Sequence, residues 1–193
     1  MPSASSRSVG AAGSASATIA GKSWIPDEVF VSDQVFPVLT PQGGILPGAD
    51  GLDLAVVRFG AGAGAAAGVV QYPKLAATLP AVGTPVTLVG FGLTDANDQG
   101  SNPTVAKHFG HNEVATVAHD VIGIVGPCAA STTTTVSATA PGDSGGPLVT
   151  GDYPVLGVVS SGLCKNGSMS SKYTAVTDAY AKSLLARAGI PAP

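Results

Sequence analysis

Residues 139–149 read TAPGDSGGPLV. A single hydroxyl, Ser144, stands between an acid and two glycines, ahead of a proline and an apolar run. Gly142-Asp143-Ser144-Gly145-Gly146 reads as a tight turn, because its glycines permit positive φ and close approach of other backbone. Such a turn can aim successive amide N–H groups into one concavity, which is what a developing oxyanion requires. A plain Gly/Ser hairpin loop has the same composition, so the turn alone leaves both readings open.

Composition narrows the choice of function. Of 193 residues, 45% are apolar and 11% charged, against about a quarter charged in ordinary globular chains. A disordered chain is excluded, and one domain with a real core is predicted. Nine basic and twelve acidic residues give a formal charge of −3, with no Lys/Arg cluster. Nucleic acid and anionic membrane surfaces are therefore poor partners. No apolar run approaches the ~20 residues that span a bilayer, and the opening MPSASSRSVGAAGSASATIAGK lacks the apolar core of an export signal. Cys128 and Cys164 do not have metal-ligand spacing. Two buried thiols or one disulfide are both compatible with them.

Outward from the serine, the chain reads as strands. Residues 52–59 (LDLAVVRF), 84–92 (TPVTLVGFG), 112–125 (NEVATVAHDVIGIV) and 147–162 (PLVTGDYPVLGVVSSG) are β-rich, the last a hairpin around Gly151-Asp152. GAGAGAAAG (60–68) and DANDQGSNP (95–103) read as loops. Only the end reads as helix: Thr177 caps it, Ala181, Leu184, Leu185 and Ala188 recur on one face, and Gly189 and Pro191 stop it.

GDSGGPL (142–148) resembles the nucleophile loop of the trypsin/chymotrypsin family of serine proteases. LDLAVV resembles the strand start that presents that family's aspartate, here Asp53. TLVGFG (87–92) resembles its Gly-aromatic-Gly bend, GVVSSGLC (157–164) its pocket-lining strand, and KYTAV (172–176) its last strand before the terminal helix. The resemblance covers roughly residues 50–190 and keeps the family's Asp-before-Ser order.

The fold it implies is all-β: two packed six-stranded antiparallel Greek-key barrels, the first incomplete, with a C-terminal helix. The 193 residues would form a single domain, with the partial first barrel at about 1–65, a connection at 66–83, the second barrel at 84–176 and the helix at 177–189. Ser144 would be the nucleophile, and the N–H groups of Gly142 and Ser144 the oxyanion hole. Asp53 would orient a histidine, held by a hydrogen bond from Ser160, and Gly162 would pair with the substrate backbone. Counting back from Ser144, Ala138 and Thr139 fall at the pocket floor. Neither is acidic, which leans the preference toward apolar side chains. Ala140 replaces the family's usual cysteine before the loop, and a Cys128–Cys164 disulfide is implied as a substitute brace. Asp143 is the acid that activated members often pair with a new N-terminal ammonium. Implied partners are polypeptide substrates and protein inhibitors, for a secreted monomer that needs no cofactor and no metal.

The family's base is a histidine that precedes the aspartate. Here His108, His111 and His119 all follow Asp53, and no catalytic role is expected of them. Losing that base costs on the order of a millionfold in turnover, so the chain as written is expected to be nearly inactive. It is read as a truncated product lacking the histidine strand. The alternatives are a non-catalytic homologue that binds peptides through the old cleft, and a β-sandwich binding module with a chance GDSGGP.

Overall fold

Period-2 alternation of apolar residues builds most of the molecule. The computed structural model describes residues 17–19, 22–31, 53–96, 106–129 and 135–191. In chain order they form β1 (Ala17–Ile19), β2 (Lys22–Trp24), β3 (Glu28–Phe30), β4 (Val56–Arg58), α1 (Ala63–Ala66), β5 (Pro85–Gly90) and β6 (His108–Glu113). There follow β7 (Thr116–Ala118), β8 (Val121–Pro127), β9 (Pro147–Val149), β10 (Val155–Lys165), β11 (Ser168–Ala175) and α2 (Ala179–Arg187). Seven strands make one antiparallel sheet in the order β6-β5-β9-β10-β11-β8-β7, beside the two-stranded ladders β1-β2 and β3-β4.

The large sheet curls around one core. Val86 and Leu88 of β5, Ile122 and Ile124 of β8, Leu148 of β9, Leu156 of β10 and Tyr173 of β11 are buried together inside it. Alternate residues of each strand supply these contacts, so a one-residue slip in register would turn them to solvent. The curl brings β6 back against β8. Asn112 clips them there, its side-chain amide donating to Val125 O at 3.0 Å and Ser137 O at 2.6 Å.

One irregularity positions the site. In the β10–β11 ladder Val159 pairs with Tyr173 and Ser161 with Lys172, so Ser160 has no opposite residue. A bulge of this kind re-aims the side chain at the extra residue. In the β9–β10 turn the left-handed residue is Tyr153, with φ 64, beside the expected Gly151-Asp152.

The helix is all-apolar on one face, as its spacing predicts: Ala181, Leu184 and Leu185 are buried. Leu184 and Ala188 pack against Phe30, which joins the β3–β4 ladder to the end of the chain. The cap differs from the expectation. Asp178, not Thr177, accepts from Tyr180 N and Ala181 N at 2.9 and 3.3 Å. An ionised carboxylate accepts more strongly from these N-terminal amides than a hydroxyl does. The stretch 60–68, read as a loop, contains the single helical turn α1, and most of 95–103 lies outside the described residues.

Asp178 also faces Asp120 in the β7–β8 turn. Burial, and then the charge and hydrogen bond of Asp178, raise the Asp120 carboxyl above its ordinary 3.8, opposed by His119. A raised carboxyl favours the fold at low pH and loses that advantage as pH rises through its folded value. Asp120→Asn keeps a donor for Asp178 without a charge. Its unfolding temperature is expected to exceed that of the parent at pH 7 and to match it near pH 3, as measured by circular dichroism.

Candidate active site

Residues 139–146 lead into β9, and Asp143 holds this loop from beneath. Asp143 Oδ1 accepts from Gly92 N and Oδ2 from Ala140 N, each at 2.8 Å. Gly90 and Gly92 are packed so closely on this carboxylate that neither has room for a side chain. The Gly-Phe-Gly bend is therefore the loop's seat.

The remaining bonds fix the loop's backbone. Asp143 N donates to Ala140 O at 3.1 Å, and Gly146 N to Asp143 O at 2.8 Å. Gly145 N donates to Val159 O, and Val159 N to Gly146 O, which fastens the loop to β10. Gly142 and Gly145 adopt φ of 95 and 82, a left-handed conformation that disfavours any side chain. With the amides of 143, 145 and 146 engaged, those of Gly142 and Ser144 take no partner among the described residues. Ser144 itself is exposed. Two unspent N–H donors beside an exposed hydroxyl can hold the oxygen of a carbonyl as it gains charge.

Asp53 comes to the same piece of β10. Ser160 Oγ, freed by the bulge, donates to Asp53 Oδ2 at 2.9 Å, and Thr174 Oγ1 donates to Asp53 O at 3.2 Å. Val159 thus carries the peptide units just after Ser144, while the next residue carries the Asp53 carboxylate. Asp53 is half-buried, as a carboxylate with a hydrogen-bond partner can be.

Ser144 opens onto a cavity of about 510 Å³ whose walls include Thr139, Ala140, Val159, Gly162, Cys164 and Met169. Thr139 Oγ1 donates to Ser171 Oγ at 2.8 Å, and Thr139 N to the same oxygen at 3.2 Å. Ala138 is absent from these walls. It lines a neighbouring cavity of about 270 Å³ that reaches Asp143 and His108. Of the two residues reached by counting back from the serine, Thr139 lines the Ser144 cavity and Ala138 only its neighbour. Cys128 and Cys164 form a disulfide with Cα atoms 5.7 Å apart, and it separates the two cavities.

None of the three histidines lines the Ser144 cavity. His108 and His111 lie on β6, with His111 Nδ1 3.2 Å from Thr87 Oγ1. His119 occupies a left-handed turn position, φ 52. Among the described residues no cluster of His, Cys, Asp or Glu has metal-binding geometry, and no helix is long and apolar enough to cross a membrane.

Sequence reasoning missed Met169 and Ser171. Their signal is the alternation of β11, where Met169, Ser171 and Tyr173 are buried in turn. Burial, and then the Asp143 charge, push the Tyr173 phenol above its ordinary range. It stays neutral, and its oxygen has no hydrogen-bond partner among the described residues.

The Trypsin family profile matches residues 27–183. The chain belongs to the Trypsin family. No curated protein sequence matches it, but solved structures do. Human heparin binding protein superposes with a TM-score of 0.62 at 18% identity, over 89% of this chain and 69% of that one. Mouse neuropsin, a serine protease expressed in the limbic system of the brain, gives 0.55 at 18%, over 81% and 68%. A Glu endopeptidase in complex with MPD gives 0.55 at 16%, over 86% of this chain and 64% of that one. At these identities the neighbours establish a trypsin-like fold. This trypsin-family chain spans about two thirds of their length.

Proposed function

We propose that Ser144 is the nucleophile of a serine-type endopeptidase. What carries the reading is that adjacent residues of β10 hold Asp53 and the Ser144 loop while the Gly142 and Ser144 amides have no partner among the described residues. On this reading Ser144 Oγ attacks the scissile carbonyl and passes its proton to an imidazole. The carbonyl oxygen takes the negative charge between the two amides. Collapse expels the amine, which leaves with that proton, and the acyl group stays on Oγ until water removes it. Asp53 fixes the imidazole's orientation and stabilises its charged form. Ser160 keeps Asp53 in place, Gly162 pairs with the substrate backbone as with an added strand, and Thr139 lines the pocket for the residue before the cut. The disulfide is in keeping with a secreted enzyme acting on polypeptides.

None of the three histidines lines the Ser144 cavity, so on this reading the imidazole is one that none of them supplies. That same placement favours a second reading, a non-catalytic homologue that binds peptides in the cleft.

A fluorophosphonate probe separates the two. The chain is expected to become phosphonylated on Ser144 faster as free imidazole is added, while the Ser144→Ala variant stays blank. A folded chain that binds peptides but is never phosphonylated, with or without imidazole, would establish the second reading and end the first.

A further inference from the structure

The Ser144 cavity is lined by uncharged polar and apolar residues, and one flexible side chain, Met169, forms part of its wall. Among the described residues no charged side chain lines it. A substrate ammonium, guanidinium or carboxylate would enter without a charged partner, which disfavours it. Thr139 Oγ1 donates to Ser171 Oγ, and both residues are buried, so the Thr139 hydroxyl proton is already engaged.

Met169 stands opposite Cys164 in the β10–β11 ladder. It is 5% exposed and packs with Ala96 and Cys128. From there its chain runs diagonally to Gly162, two residues away on the partner strand, a span that long side chains bridge. A methyl group added at Gly162 would fall directly on Met169 Cε, and 3.5 Å from Thr139 Oγ1. The thioether therefore occupies the space that the missing side chain of Gly162 leaves open. Met has three rotatable bonds and fills irregular gaps without a fixed shape.

We propose that Met169 is the specificity-determining residue of this cleft, an adjustable end wall that admits a medium-sized unbranched or γ-branched apolar side chain, leucine or methionine, before the scissile bond. The proposal rests on the nucleophile reading of Ser144 and adds a depth limit to it. Larger aromatic side chains are excluded by the thioether; alanine leaves the space beneath it unfilled.

The test uses peptide diphenyl phosphonates that differ only in the residue bearing the phosphorus: Ala, Leu, Phe or Arg. Rates of Ser144 phosphonylation are read by mass spectrometry in the presence of imidazole. The parent chain is expected to prefer Leu over Phe, Ala and Arg by about tenfold or more, the discrimination that one or two methylenes provide. In Met169→Ala the order of Leu and Phe is expected to reverse. In Gly162→Ala, which drives the thioether into the cavity, Ala is expected to overtake Leu. This second variant decides the matter if the first fails to fold. An unchanged order of the four reagents in both variants, or an equal rate change for all four, overturns the role of Met169. Failure of the parent chain to react with any of them, or with the fluorophosphonate, rejects the nucleophile reading instead.

Discussion

Gly92→Ala is expected to abolish phosphonylation of Ser144, with a loss of at least about a hundredfold, the effect of removing one oxyanion donor in related chemistry. A Cβ at this position would stand 2.7 Å from Asp143 N and 2.7 Å from Asp143 Cγ. Because one of these contacts is backbone, no side-chain rotation relieves it, and the loop that carries Ser144 must move. Gly90→Ala is instructive beside it. The three atoms nearest its Cβ are all in the Asp143 side chain, with Cγ at 2.6 Å. The carboxylate can swing aside, but then the N–H groups of Gly92 and Ala140 lose their acceptor, at about 1.5–3 kcal/mol for each bond to a charged group. Asp143→Ala removes the same acceptor, so adding it is expected to cost Gly90→Ala nothing further, while the backbone clash of Gly92→Ala persists in its double. Labelling rates and melting temperatures of the two singles and two doubles check this. Full labelling of Gly92→Ala would show that the loop does not depend on its seat.

Removing the disulfide is expected to have the next largest effect. Cys128 and Cys164 lie 36 positions apart in sequence, and opening a loop of that length costs about 3–4 kcal/mol on the chain-entropy account. That is a large part of the stability of a typical domain. The Cys128→Ser/Cys164→Ser double variant should show a lower midpoint of urea unfolding, by one to several molar for slopes of about 1–3 kcal/mol/M. The bridge also holds β10 to the segment after β8, between the two cavities. Loss of the Leu-over-Phe preference should therefore accompany the loss of stability. A midpoint within a few tenths molar of the parent would mean that the bridge contributes little, and that packing around Met169 and Ala96 suffices.

Much of the site was legible before any coordinates. The GDSGG turn, the apolar strand around Asp53 and the Ser160-Ser161-Gly162 strand are local patterns, and local patterns are written in residue order. The helix was equally plain, because Leu184, Leu185 and Ala188 recur at helical spacing. Its cap was misassigned by one residue because Thr177 and Asp178 are both competent caps, and only the chain's path decides which lies at the end.

What the order of residues determined by itself is the set of elements and the chemistry of one loop: a hydroxyl on a glycine turn, with an acid ready to seat it. The tertiary structure decided everything that depends on which strand lies beside which. It chose Thr139 over Ala138 for the cavity, brought Met169 across to Gly162, joined Cys128 to Cys164, and placed the bulge that turns Ser160 toward Asp53. These outcomes follow from register and bulge phase, which arise from pairings between residues far apart in the chain. A one-residue shift in such a pairing reverses the face of every side chain after it, and no local pattern records that choice.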